Sequence, residues 1–244
     1  MMKTLYFDCF SGISGDMTIG ALLDLGADPN YLEDELSKLN FDSEYKLTWK
    51  KVVKKGVSST KFDVIVVEDE GDHHHLHRHY SDIVKMIESA DFNENVKKIA
   101  LQIFEVIGRA EAKIHNIPFE KVHFHEVGGV DSIIDIVGTS ILLDKLQVSK
   151  VVSSSVPVGN GYIRIAHGMY PVPAPATLEI LKGIPIKETK ITGELTTPTG
   201  AGILAVLVEN FGPIPSMKID EIGYGAGTKD FADHPNVLRV MLGK

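Results

Sequence analysis

Cysteine is almost missing from this chain: Cys9 stands alone among 244 residues. An internal disulfide is therefore excluded, as is any zinc or iron–sulfur site built from several thiolates. Long apolar runs are missing too, and none approaches the roughly 18 residues that a membrane span requires. Positive charge is in deficit, with Lys and Arg totalling 25 against 33 Asp and Glu, a formal net charge of −8. That balance argues against broad binding to nucleic acid or to an anionic membrane. The chain enters a strand-like segment at residues 3–7 without the layout of a signal peptide, so a cytoplasmic location is expected. Histidine, by contrast, is plentiful: with ten histidines and one cysteine, a metal site here would use nitrogen and oxygen donors.

At 43% hydrophobic and 24% charged, the chain suits one large domain or two small ones. Residues 3–8 read as a strand, followed by a helix to about Leu25 that ends at Gly26. Pro29 opens a second helix to about Leu39. Strands at 45–54 and 57–68 flank the Lys55-Gly56 turn, the second carrying the β-branched run Val64-Ile65-Val66-Val67. Helices are expected at 81–89, with Ser81 as its cap, at 94–115 and at 127–146. A strand at 151–158 leads into a Gly/Pro-rich stretch to Pro175. Helices near 174–182 and 198–211 then alternate with short strands near 184–190, 216–222 and 236–242. The alternation predicts an α/β (α+β) fold, a mixed sheet layered with helices. The expected organisation is an N-terminal α/β subdomain at 1–68, a His-rich connector at 69–80, and a helical and α/β main domain at 81–244.

The densest chemistry lies in His123-Phe124-His125-Glu126-Val127-Gly128-Gly129-Val130-Asp131-Ser132-Ile133-Ile134-Asp135. Two histidines and three carboxylates in an apolar segment are costly to bury unless paired, hydrogen-bonded or metal-bound. His123 and His125 alternate in an extended stretch, while Asp131 and Asp135 share one helix face. Upstream, Glu111 and His115 lie four apart, and antiparallel helices would bring them to the same pocket. The set then serves as metal ligands or as a general base with its orienting partner; otherwise these groups have separate structural roles.

The connector carries His73, His74, His75, His77 and His79, either a loose metal-capturing tract or a solvated linker. The turn at 10–17, with Ser14, Gly15 and Asp16, follows a strand and opens a helix. Its free N–H groups would cradle a phosphate or carboxylate, or Asp8 and Asp16 would hold a cation; the alternative is a plain turn capped by Ser14. Thr197-Pro198-Thr199-Gly200 repeats this logic, with Thr197 as cap and Gly200 letting a ligand approach, or is simply a good helix start. Arg164 and His167 are the useful side chains of the Gly/Pro-rich stretch. Cys9 reads as a small buried residue.

Taken together and in order, several segments resemble one family. They are Gly-Ile-Ser-Gly-Asp-Met at 12–17, Arg78-His79-Tyr80, His-Phe-His-Glu-Val-Gly at 123–128, Asp131-Ser132-Ile133 with Asp135, His167-Gly168 with Pro171-Val172-Pro173-Ala174-Pro175, and Glu-Leu-Thr-Thr-Pro-Thr-Gly at 194–200. The chain resembles the LarC family of nickel insertion proteins, of the lactate racemase maturation system. The resemblance implies nickel insertion into pyridinium-3,5-bisthiocarboxylic acid mononucleotide, a lyase-class chelatase (cyclometallase) reaction that consumes CTP with Mg²⁺ or Mn²⁺. It implies loss of a ring C–H, hence a base, with His123, His125 and Glu126 as the catalytic candidates. It further implies a C-terminal part not present in this sequence, on which CTP use would depend, a homo-oligomer, and a lactate racemase-type apoenzyme as recipient. The competing reading is a non-catalytic nickel store or metallochaperone in which residues 73–79 do the binding.

Overall fold

A computed structural model describes residues 3–67, 78–122, 124, 127–165 and 168–244. Strand β1 (Lys3–Asp8) leads to helices α1 (Gly15–Asp24) and α2 (Pro29–Leu36), then to β2 (Tyr45–Lys54) and β3 (Val57–Val66). Helices α3 (Tyr80–Ser89), α4 (Glu94–His115) and α5 (Val130–Lys145) follow, then β4 (Val148–Ser153), β5 (Val156–Pro157), β6 (Gly159–Asn160), β7 (Tyr162–Ile165) and β8 (Gly168–Pro171). The chain continues through α6 (Pro175–Ile180), β9 (Ile186–Lys187), β10 (Gly193–Glu194), α7 (Pro198–Leu207), β11 (Asn210–Phe211), β12 (Ile219–Ala226) and β13 (Val237–Gly243).

Seven strands form one mixed sheet in the order β11-β4-β1-β13-β12-β3-β2. β1 runs parallel to β4 and antiparallel to β13, so the N-terminal strand sits near the middle of the sheet. Strands from before and after residues 69–80 share this sheet, and one hydrophobic core draws on both sides of that segment. Helix α1 lies against β3, β12 and β13; α5 packs on α1, and α4 packs on α5 and α7. The mixed sheet layered with helices is the α/β class that the alternation of elements predicts.

Local chemistry explains most boundaries. The β2–β3 hairpin turns at Lys55 (φ 48°) and Gly56 (φ 83°), the left-handed pair that a two-residue hairpin requires. Asn93 caps α4 by accepting from Val96 N–H at 2.9 Å, and left-handed Asn116 ends it. Three expectations need correction. α3 begins at Tyr80 with His79 at the capping position, so Ser81 lies inside the helix. The expected strand at 151–158 ends its pairing with β1 at the bond from Ser154 N–H to the Phe7 carbonyl (2.9 Å), and the chain beyond it pairs as β5 with β9 instead. α7 stops at Leu207 because Glu209 N–H bonds the Val151 carbonyl (3.0 Å) and Asn210–Phe211 joins the edge of β4.

The loops that open α1 and α7 are joined backbone to backbone. Ile13 N–H donates to the Leu195 carbonyl (3.0 Å), and Thr197 N–H donates to the Ile13 carbonyl (3.1 Å), a short parallel bridge. Both contacts need a glycine on the facing loop. A Cβ at Gly12 (φ 82°) would overlap the Leu195 carbonyl, and one at Gly200 would overlap the Ile13 carbonyl. Gly200 adopts ordinary helical backbone, so Gly200→Ala tests the approach alone. It is expected to destabilise the protein by about 1–3 kcal/mol, read from the urea midpoint at unchanged m-value. Gly212, where a side chain would meet nothing within 4 Å, is the control: Gly212→Ala should stay within about 0.5 kcal/mol.

Candidate functional site

The joined loops form one wall of a cavity of about 370 Å³, within the size range of small-molecule sites. Its lining comes from three helix starts. These are Ser14, Gly15 and Asp16 of α1, Asp131 and Ser132 of α5, and Thr197, Pro198 and Thr199 of α7. Asp135 from the next turn of α5, Asp63 of β3, Glu194 and Thr228 complete the polar walls, with Val64 and Val127 beside them. Helix N-termini present unsatisfied N–H groups and a partial positive charge, so three together favour an anionic ligand group. Each helix start is built differently. Thr197 caps α7 by accepting from Gly200 N–H at 3.1 Å, with Pro198 in the first helical position. Ser14 occupies the capping position of α1 without capping it; its hydroxyl bonds the Asp16 carboxylate. Gly15 lets α5 press on this turn, since a Cβ there would overlap the Asp135 carboxylate.

Carboxylates crowd the same space. Asp135 accepts from the Asp16 backbone N–H, and its Oδ1 is cut off from water with no hydrogen-bond partner among the described residues. Burial, and then the nearby charges of Asp16 and Asp131, hold its carboxyl well above the usual carboxylate range; Lys61 and the Asp16 N–H act in the opposite sense. Asp16 is committed on both oxygens, one to Ser14 and the other to the Lys61 ammonium at 2.7 Å. Asp8 pairs with Arg239, whose Nε donates to Asp8 Oδ2 at 2.9 Å. Asp8 and Asp16 thus have separate basic partners, which corrects the expectation that they flank a shared cation.

Among the residues singled out from sequence, the structure brings Ser14, Gly15, Asp16, Asp131, Asp135, Thr197 and Thr199 to one cavity. Gly200 instead faces the Ile13 carbonyl. Arg164 is exposed on β7, opposite Met169 of β8, away from the cavity lining. Glu111 and His115 pair with each other on the last turn of α4 (3.1 Å), with Glu111 buried. His79 is exposed at the start of α3. His73, His74, His75, His77, His123, His125, Glu126 and His167 lie outside the described residues. Phe124 between the two histidines is fully buried, with ring centroids 6.1 Å from Phe104 and 6.2 Å from Tyr80. Among the described residues, no three His, Cys, Asp or Glu side chains are grouped to hold a metal ion, and no helix is long and apolar enough to cross a membrane. Cys9 is fully buried, and burial pushes its thiol up to about 12, so it offers no thiolate near neutral pH.

Sequence reasoning missed Lys61 and Asp63. The available signal was Lys61-Phe62-Asp63, two opposite charges straddling a fully buried phenylalanine in a strand.

The raised carboxyl of Asp135 has a consequence for stability. The folded chain keeps this proton at pH values where the unfolded chain, titrating near about 4, has released it. The stabilisation is complete below about pH 4 and is lost as pH rises through the folded-state value. Asp135→Asn is therefore expected to flatten the fall in melting temperature between about pH 4 and neutrality. Parallel melting curves against pH for the variant and the unaltered chain would contradict this assignment.

A family model described as nickel insertion protein matches residues 5–244. A pyridinium-3,5-bisthiocarboxylic acid mononucleotide nickel insertion protein of Geobacillus kaustophilus (strain HTA426) is 60% identical over 248 aligned positions, covering 100% of this chain and 60% of the relative. A protein of the same name from Staphylococcus epidermidis (strain ATCC 12228 / FDA PCI 1200) is 54% identical over 241 positions, covering 99% of this chain and 59% of its own length. A putative nickel insertion protein of Dictyoglomus thermophilum (strain ATCC 35947 / DSM 3960 / H-6-12) is 48% identical over 243 positions, covering 100% of this chain and 61% of the relative. The chain thus spans about three-fifths of the length of these relatives. No solved structure matches it. This chain belongs to the nickel insertion protein family.

Proposed function

We propose that this chain is the nickel- and substrate-binding portion of an enzyme that inserts nickel into pyridinium-3,5-bisthiocarboxylic acid mononucleotide. The substrate is the one named for the relatives from Geobacillus and Staphylococcus. The observation that carries the reading is the single cavity in which three helix N-termini meet the Asp131–Asp135 pair. A mononucleotide bears a phosphate at one end, and the starts of α1 and α7 supply N–H groups and the hydroxyls of Thr197 and Thr199 for it. The pyridinium ring then lies toward α5. There Asp131 and Asp135 act with His123, His125 and Glu126, a few residues earlier in the chain, to present nickel. His73, His74, His75, His77 and His79 collect the ion upstream of that transfer.

Nickel is a substrate here, so its donors must release it. Imidazole and carboxylate hold it less tightly than thiolates, and the thiocarboxylate sulfurs of the pincer draw it away. Forming a nickel–carbon bond replaces a ring proton, which one of His123, His125 or Glu126 accepts. This is cyclometallase chemistry of the lyase class. We assign the use of CTP with Mg²⁺ or Mn²⁺ to the part of the relatives' length that this chain does not span. The product goes to a lactate racemase-type apoenzyme.

The test is formation of the nickel pincer, followed by its nickel-dependent absorbance, with CTP, Mg²⁺ and the C-terminal part supplied. His123→Ala with His125→Ala should abolish nickel transfer at an unchanged melting temperature. Normal transfer by that double variant sinks the assignment. Asp131→Asn with Asp135→Asn should weaken nickel binding by about 10–100-fold, measured by isothermal titration.

A further inference from the structure

Five carboxylates line the cavity, from Asp16, Asp63, Asp131, Asp135 and Glu194, and no lysine or arginine is among the described lining residues. Such a wall repels a phosphate unless some of its charge is cancelled. The cancelling charge comes from behind the wall. Lys61 is only 7% exposed, and its ammonium contacts Asp16 Oδ2 at 2.7 Å, Asp63 Oδ1 at 2.6 Å and the Phe62 carbonyl at 2.8 Å. Those three contacts use all three of its N–H donors, so Lys61 has none left for a ligand. Burying an ammonium is costly, and Lys61 sits directly across from Lys50 in the β2–β3 register, where like charges disfavour each other. The position is therefore a poor one for lysine except for the two carboxylates it joins. One of them, Asp16, is on the first turn of α1, where an anion would meet the helix N-terminus.

We propose that Lys61 is a positioning residue of the phosphate subsite: by pairing with Asp16 and Asp63 and cancelling one of their two charges, it lowers the repulsion that a phosphate would meet at the N-terminus of α1. It touches no substrate and acts through the two carboxylates. This inference rests on the phosphate reading of the cavity given above.

Two probes separate the terms: pyridinium-3-carboxylic acid mononucleotide, and the same riboside without its phosphate. Isothermal titration of the unaltered chain should show a preference for the mononucleotide. Lys61→Met should cut that preference by at least about tenfold, equivalent to about 1.4 kcal/mol, while riboside affinity stays unchanged. The triple variant K61M/D16N/D63N removes the lysine and both charges together. It should recover the preference, and it keeps the test decisive if Lys61→Met alone does not fold. No preference in the unaltered chain overturns the phosphate reading, and this inference with it. A preference that Lys61→Met leaves intact overturns the role of Lys61 alone. Equal loss of both ligands by Lys61→Met, or a folded triple variant without recovery, marks Lys61 as merely structural and overturns the inference.

Discussion

The short parallel bridge between Ile13 and the 195–197 segment is the contact on which the site depends. The starts of α1 and α7 are about 180 residues apart in the chain, and neither is an unusual helix start by itself. Two backbone hydrogen bonds across a gap too narrow for a Cβ bring them into one wall. The bridge is held in turn from below. Thr196 donates its hydroxyl to the Pro157 carbonyl (2.9 Å), and Cys9 N–H donates to Ser154 Oγ (3.0 Å), so the loops after β1 and β4 are tied to the same point. The cavity wall is thus built from backbone at the ends of the central strands, the place where open α/β sheets put their sites.

That geometry creates an electrostatic problem and also limits it. Three helix N-termini attract negative charge, and the chain has placed its own carboxylates there. Asp135 accepts one N–H of α1, that of Asp16, and burial and its acidic neighbours push its carboxyl above the usual carboxylate range. Asp16 and Asp63 are joined by Lys61. Asp131 is exposed on the first turn of α5, where a cation can reach it. The cavity thereby has a side at Asp16 and Asp63, whose charge Lys61 partly offsets, and a side at Asp131 and Asp135 on α5. On the proposed reading these are the phosphate and nickel sides of one substrate.

Elements fixed by local chemistry were legible in the sequence. The bounds of α4 follow from Asn93 and from the apolar spacing between it and Asn116, and the β2–β3 hairpin follows from Lys55-Gly56. Boundaries set by distant partners were not legible. Nothing within 198–211 says that Glu209 will leave the helix to meet Val151. The candidate site divides in the same way. Ser14, Gly15, Asp16, Thr197 and Thr199 could be named as anion-binding helix starts, and Asp131 and Asp135 as a pair on one face, because each judgement needs only a few neighbouring residues. That the two groups share a cavity is a property of the sheet and of α5 packing on α1. Gly200 shows the limit most plainly: a glycine at a helix start suggests room for a ligand, and here the room is filled by the Ile13 carbonyl.

The position of the lone thiol bears on the metal chemistry. Cys9 lies in the loop that runs from β1 to the start of α1, the helix start that lines the cavity. An accessible thiolate so close would compete for nickel and hold it more tightly than imidazole or carboxylate. Burial removes that competitor, since a thiol pushed up to about 12 stays protonated and presents no soft donor near neutral pH. The described lining of the cavity is left with oxygen donors, which on the proposed reading suit an ion that must be surrendered. For a protein whose relatives are named for delivering nickel to a thiocarboxylate, the exclusion of its own sulfur is as much a part of the site as the groups that line it.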